Sequence, residues 1–137
     1  MRDEMNTTEE PDAPELAAAL TALGSLDEVI HQKVRLALMS TLISLGESDF
    51  TQLRDLMSLS DGNLATHLAL LEDKGYLAVT KQFVRKKPRT SYRATVEGIR
   101  AFREYVKNLE TILGIATASA AEPHPLYSLT LMREART

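Results

Sequence analysis

LSDGNLATHLALLEDKGYL, residues 59–77, contains a helix start, an apolar helix face and a helix stop in one short run. Ser60 stands at an N-cap position, Asp61 follows in the first turn, where a carboxylate favours the helix dipole, and Gly75 stands where a glycine ends helices. Leu64, Leu68 and Leu71 recur at steps of four and three, so they form one inward face. Asn63, Thr66, His67 and Leu70 fall on other sides. A purely structural amphipathic helix usually carries long charged residues there. Short hydrogen-bonding groups suit close approach to base edges and phosphates instead.

The flanking segments give this helix its context. QLRDLMSL (52–59) predicts a two-turn helix with Leu53, Leu56 and Met57 on one face, capped by Thr51 and preceded by a brief strand at ESDF (47–50). Two helices joined by so short a turn form a helix-turn-helix candidate. After Gly75 the period changes to two: YLAVTKQF (76–83) and TSYRAT (90–95) predict two strands. VRKKPRT (84–90) lies between them, with Pro88 expected at the hairpin tip or at an edge, because proline cannot donate a ladder hydrogen bond.

Upstream, Ser25 and Glu28 have capping-box spacing. Val29, Ile30, Val34, Ala37, Leu38, Leu42 and Leu45 then recur at helical period until Gly46, which predicts one helix from the Ser25 cap onward. PELAAALTALG (14–24) predicts a short first helix with Leu16, Ala19, Leu20 and Leu23 on one face. Downstream, Thr95 caps VEGIRAFREYVKNLETILG (96–114), in which Ile99, Phe102, Val106, Leu109 and Leu113 form a heptad-like seam. The expected fold class is mainly α with a small β-hairpin (α+β): a winged helix-turn-helix with extra N- and C-terminal helices for dimerisation.

With 137 residues and 44% hydrophobic content, the chain has material for one modest core. The expected organisation is a disordered acidic N-terminus over 1–12, the domain with its dimerisation helices over 13–114, and a C-terminal tail over 115–137. The absence of cysteine excludes disulfides, thiolate metal sites and thiol nucleophiles. His31, His67 and His124 are scattered, and no Gly-rich phosphate loop, nucleophile elbow or His-x-x-x-His spacing occurs, so neither a metal, a cofactor nor an enzyme is expected. No apolar run approaches about 18 residues, and the expectation is a soluble cytoplasmic protein without a membrane partner.

Charge is strongly segregated in this chain of net charge −3. Residues 1–30 carry eight acids against Arg2 alone, whereas residues 76–93 carry Lys81, Arg85, Lys86, Lys87, Arg89 and Arg93 and no acid. A polyanion would meet that local basic field, not the net charge.

HQKVRLALMSTL (31–42), SDGNLATHL with LEDKGYL (60–77) and PRTSYRATVEG (88–98) together resemble the winged-helix transcriptional regulators of the ArsR and MarR-like group, particularly its small single-domain members. The resemblance spans roughly residues 26–113. It implies a dimeric DNA-binding repressor or regulator with the helix from Asp61 in the major groove and the hairpin at the adjacent minor groove or backbone. Ser60, Asn63, Thr66 and His67 match the exposed recognition-helix positions, and Arg85 to Arg89 match the wing. Ala65 stands where the pattern often has a serine, and the lack of cysteine excludes metal or redox sensing through thiolates.

The expected partner is double-stranded DNA, contacted by Ser60, Asn63, Thr66, His67, Lys81, Arg85, Lys86, Lys87, Arg89 and Thr90. A homodimer is expected through Leu16, Leu20, Leu23, Ile99, Phe102, Val106, Leu109 and Leu113, since a seam of barely two heptads must pack on something. No polar constellation identifies a small-molecule or protein effector. A winged helix that binds an acidic protein partner is the alternative, because the fold does not fix the function.

Overall fold

The structure, a computed structural model, describes residues 13–121 and Leu126. The expectations for residues 1–12, and for the tail beyond Ala121 apart from Leu126, lie outside the described residues. The chain divides into a central unit, residues 27–106, and a terminal unit comprising 1–26 and 107–137. The described elements are five helices and three short strands: α1 (Ala13–Gly24), α2 (Lys33–Leu45), β1 (Ser48–Asp49), α3 (Phe50–Met57), α4 (Asp61–Asp73), β2 (Leu77–Val84), β3 (Lys87–Ala94) and α5 (Val96–Ala121). This is the mainly helical α+β winged-helix plan expected from the sequence.

In the central unit, helix caps set the boundaries. The Ser60 hydroxyl accepts from the Asn63 N–H at 3.2 Å, starting α4 as expected. At the other end, the Gly75 N–H donates to Glu72 O (2.8 Å) and the Tyr76 N–H to Leu71 O (2.9 Å), with Gly75 at φ +84°. That is the paired-bond helix ending for which a glycine is favoured. Helix α3 is capped by Asp49, not by Thr51: the Asp49 carboxylate accepts from the Gln52 N–H, and the Gln52 side chain accepts from the Asp49 N–H. This reciprocal box satisfies two amide donors, which a threonine two residues later cannot do.

A second difference lies before α2. No helix starts at Ser25; residues 28–30 form a turn, and α2 begins at Lys33 with Gln32 as its cap. The competing interaction is local. Asp27 Oδ1 accepts from the N–H groups of Val29 and Ile30 (2.9 and 3.0 Å), an aspartate turn that offers the backbone an alternative to helix. The Tyr76 hydroxyl donates to the other Asp27 oxygen, holding that turn in place. Burial, reinforced by the Asp27 hydrogen bond and charge, pushes the Tyr76 phenol up to about 12.

Leu38, Met39 and Leu42 of α2, Leu53 of α3, and Leu64, Leu68 and Leu71 of α4 form the core with Ile30 of the turn. Leu56, expected beside Leu53, is instead 63% exposed. The strands form an antiparallel sheet in the order β1-β3-β2. β1 matches β3 only at Ser48–Tyr92 and Asp49–Ser91, while β2 and β3 pair from Leu77–Ala94 to Val84–Lys87. The hairpin tip is Arg85–Lys86, both at positive φ (53° and 65°), and Pro88 lies within β3 opposite Phe83. A two-residue loop makes Val84–Lys87 the hydrogen-bonded closing pair. Pro88 therefore falls at the next, non-bonded pair and costs no ladder bond.

In the terminal unit, Ala19 and Ala22 of α1 are buried, while Leu16, Leu20 and Leu23 are 44%, 60% and 54% exposed. Helix α5 continues past Gly114 to Ala121, beyond the boundary expected there. Gly114 costs about 1 kcal/mol inside a helix, and the alanines that follow it favour continuation.

Gly98, in the first turn of α5, meets the β2 start at unusually close range. A Cβ built there would lie 2.3 Å from the Tyr76 carbonyl oxygen, a backbone atom that cannot move aside cheaply. Gly98→Ala is therefore expected to lower stability by about 3 kcal/mol or more. Gly62→Ala, on the open first turn of α4, is expected to be neutral or to stabilise by about 0.5–1 kcal/mol. Thermal melts of the two variants should therefore move apart, and matching melts would contradict this packing.

Candidate nucleic-acid interface

Two elements place the expected contact residues. Helix α3 ends at Met57, with Ser58 in the left-handed region, and α4 starts after three residues. Arg54 of α3 reaches Asp61 of α4 at 3.2 Å, crossing that turn. With Leu64, Leu68 and Leu71 buried, the N-terminal half of α4 turns Asn63, Ala65 and Thr66 to solvent, and His67 is half-buried beside them. Ser60 is exposed, but its hydroxyl is already used as the cap. The Thr66 hydroxyl donates to Gly62 O at 2.9 Å, which leaves its lone pairs facing outward as acceptors.

His67 has a partner that sequence reasoning missed. Arg35 of α2 anchors its Nε on Val29 O (2.5 Å) and places a guanidinium nitrogen 3.1 Å from His67 Nδ1. A guanidinium only donates, so Nδ1 accepts and the imidazole is neutral with its proton on Nε2. Burial, and then the Arg35 charge, hold His67 below the ordinary imidazole value. Nothing in HQKVRLAL singles out Arg35, because its partner lies 32 residues away.

The hairpin sorts the basic residues by side, since alternate strand residues face opposite ways. Lys81 and its cross-strand partner Thr90 share a face with Phe83 and Pro88; Lys87 and Arg89 share the other with Val84 and Gln82; Arg85 and Lys86 form the tip. Residues 81–89 are all exposed, Phe83 at 81%. Arg89 differs from the others in pairing with Asp49 at 2.8 Å. A cleft of about 600 Å³ opens beside that pair, lined by Phe50, Thr51, Val84, Lys87, Pro88 and Thr90 among others. Among the described residues, no cluster of His, Cys, Asp or Glu is arranged to hold a metal ion, and no helix is long and apolar enough to cross a membrane.

The lowered His67 value has a sign. The unfolded chain takes up a proton near pH ~6.5, while the folded chain resists it, so this contribution to stability is present above that pH and lost as pH falls through the folded value. Between about pH 7 and about pH 5.5 the melting temperature of the wild type should fall more than that of His67→Gln. Equal falls would contradict the assigned tautomer.

Comparisons with known proteins bear on this geometry. An uncharacterized protein of Methanocaldococcus jannaschii is 29% identical over 79 residues, which cover 58% of this chain and 86% of the relative. Among solved structures, a transcriptional regulator homologue from Pyrococcus horikoshii OT3 superposes with a TM-score of 0.62 at 24% identity, over 74% of this chain and 95% of that one. A structure assigned to the MarR family of transcriptional regulators, from Enterococcus faecalis V583, superposes with a TM-score of 0.56 at 20% identity, over 85% of this chain and 98% of that one. The model of the winged helix DNA-binding domain matches residues 34–113, more than half of the chain. The helix-turn-helix, the basic hairpin and this match agree: the chain belongs to the winged-helix DNA-binding domain family, whose members are non-enzymatic DNA-binding proteins.

Proposed function

We propose that the protein is a sequence-specific transcriptional regulator of double-stranded DNA, acting as a dimeric repressor in the cytoplasm. In this reading helix 61–74 enters the major groove and wing 84–90 lies on the minor groove or backbone. The observation that carries the reading is the juxtaposition of short polar side chains on α4 with an exposed hairpin that has six basic residues and no acid between 76 and 93. Asn63, Thr66 and the Nε2–H of His67 supply acceptors and donors for base edges; Lys81, Arg85, Lys86, Lys87 and Thr90 supply phosphate contacts; Ser60 sets the helix start. The regulator descriptions of the two superposed structures support the same reading.

Dimerisation is the second part of the proposal. Leu16, Leu20 and Leu23 make an exposed apolar stripe on α1, and Leu113 of α5 is 52% exposed. Ile99, Phe102, Val106 and Leu109 are half-buried and complete the expected seam along α5. A two-fold dimer would set two recognition helices at half-sites about 34 Å apart. The exposed Phe83 favours a second reading, a winged helix that binds an acidic protein partner through its wing.

Fluorescence anisotropy on duplex DNA from upstream of the protein's own gene, against scrambled duplex across a salt series, tests the first reading. The expected outcome is selective binding that weakens steeply with salt. Lys86→Ala with Lys87→Ala should weaken all duplexes about equally and reduce the salt slope by about 2, whereas Asn63→Ala or Thr66→Ala should mainly cost discrimination, by about 1–3 kcal/mol. No binding to either duplex by folded protein would favour the protein-partner reading. In sedimentation at micromolar concentration the wild type should be a dimer and Leu20→Glu a monomer; a monomeric wild type would overturn the dimer.

A further inference from the structure

We infer that Arg89 and Asp49 form a latch that holds the distal wing against the capped start of α3, and that Arg89 serves DNA binding as a positioning residue and not as a phosphate ligand. The inference rests on the DNA-binding reading above for its functional half. Its structural half stands on the division of labour at one carboxylate. Asp49 Oδ1 accepts the Gln52 N–H at 2.8 Å and starts α3, while Oδ2 takes the Arg89 guanidinium at 2.8 Å. One side chain thus fixes a helix of the helix-turn-helix and a strand of the wing at once. The Asp49 side chain is 16% exposed and the Arg89 side chain 47%, so the acid of the pair is largely sheltered.

The sheet ladder with β1 does not reach the distal hairpin. β1 pairs with β3 only at Tyr92 and Ser91, so residues 87–90 extend beyond it and are matched by β2 alone. Among the described residues, Arg89–Asp49 is the one ion pair between the hairpin and a helix cap. The tip beyond it carries Arg85 and Lys86, both in the left-handed region that non-glycine residues adopt at a cost. A hairpin without a latch would present Lys86 and Lys87 over a wider range of directions, and each phosphate contact would then have to order them on binding.

The two roles for Arg89 predict opposite effects of the same substitution. Asp49→Asn removes the charge but keeps an N-cap side chain of nearly equal quality, so α3 should remain intact. If Arg89 were a phosphate ligand, Asp49→Asn would free it, remove a neighbouring anion and tighten DNA binding. If Arg89 is a latch, Asp49→Asn loosens the wing and weakens DNA binding.

The experiment compares the wild type, Asp49→Asn, Arg89→Gln and the double variant in two measurements, with thermal melts confirming that each is folded. The first is amide hydrogen exchange over residues 85–91 in the free protein. The second is anisotropy on the DNA duplex with a salt series. Faster exchange is expected in every variant, with each single substitution weakening binding about three- to fivefold, a lower salt slope, and the double variant no worse than either single one. Unchanged exchange in both single variants would overturn the latch. Tighter binding by Asp49→Asn, or additive losses in the double variant, would overturn the positioning role and make Arg89 a direct ligand. If the wild type binds no duplex, the DNA-binding reading fails and the positioning role with it, and the exchange measurement alone still decides whether the latch exists.

Discussion

The central unit depends on how Tyr76 is held at the end of α4. Its N–H closes α4 on Leu71 O, its carbonyl accepts the Thr95 N–H at 3.0 Å ahead of α5, and its hydroxyl fixes Asp27 in the turn before α2. Thr95 adds a second tie, its hydroxyl donating to Gly75 O at 2.7 Å and accepting from the Gly98 N–H at 2.9 Å. The α5 backbone can approach Tyr76 this closely only because residue 98 has no Cβ. The hairpin begins at Leu77 and returns at Ala94, so the same junction fixes both ends of the hairpin relative to α4.

Much of this was legible from spacing. Ser60 and Gly75 mark the ends of α4 because capping is local chemistry, and Leu64, Leu68 and Leu71 face inward because the helical period leaves them one side. The period-two segments gave the hairpin for the same reason. What the spacing could not give were competitions between two plausible local bonds. Ser25 with Glu28 is a good capping box on paper, but Asp27 takes the following amides and is itself held by Tyr76, 49 residues away. At α3, Asp49 outcompetes Thr51 because Gln52 answers it. Of the tip and the edge, both open to Pro88, the structure takes the edge, where β3 extends beyond β1, and two basic residues accept left-handed conformations at the tip.

The candidate site was legible as a set of residues and not as a set of roles. Composition groups Lys81 with Arg85, Lys86, Lys87 and Arg89, yet the register puts Lys81 on the other face from Lys87 and Arg89, and Arg89 is engaged by Asp49. His67 was visible as a polar group on α4, whereas its tautomer is set by Arg35 from another helix. In both cases the deciding partner is distant in sequence, and one chain without its fold carries no signal for it. In the chain the exposed polar residues of α4 precede the Tyr76 junction and the acid-free hairpin follows it, and the proposed function takes the two together as one DNA-facing surface.

The measurement that tests that claim most directly is an NMR titration of the labelled protein with duplex DNA, following backbone amides. The account predicts shifts concentrated at residues 60–67 and 81–90, with residues 36–45 of α2 little changed. Shifts confined to the wing, with the exposed face of α4 silent, would contradict a recognition helix that reads DNA.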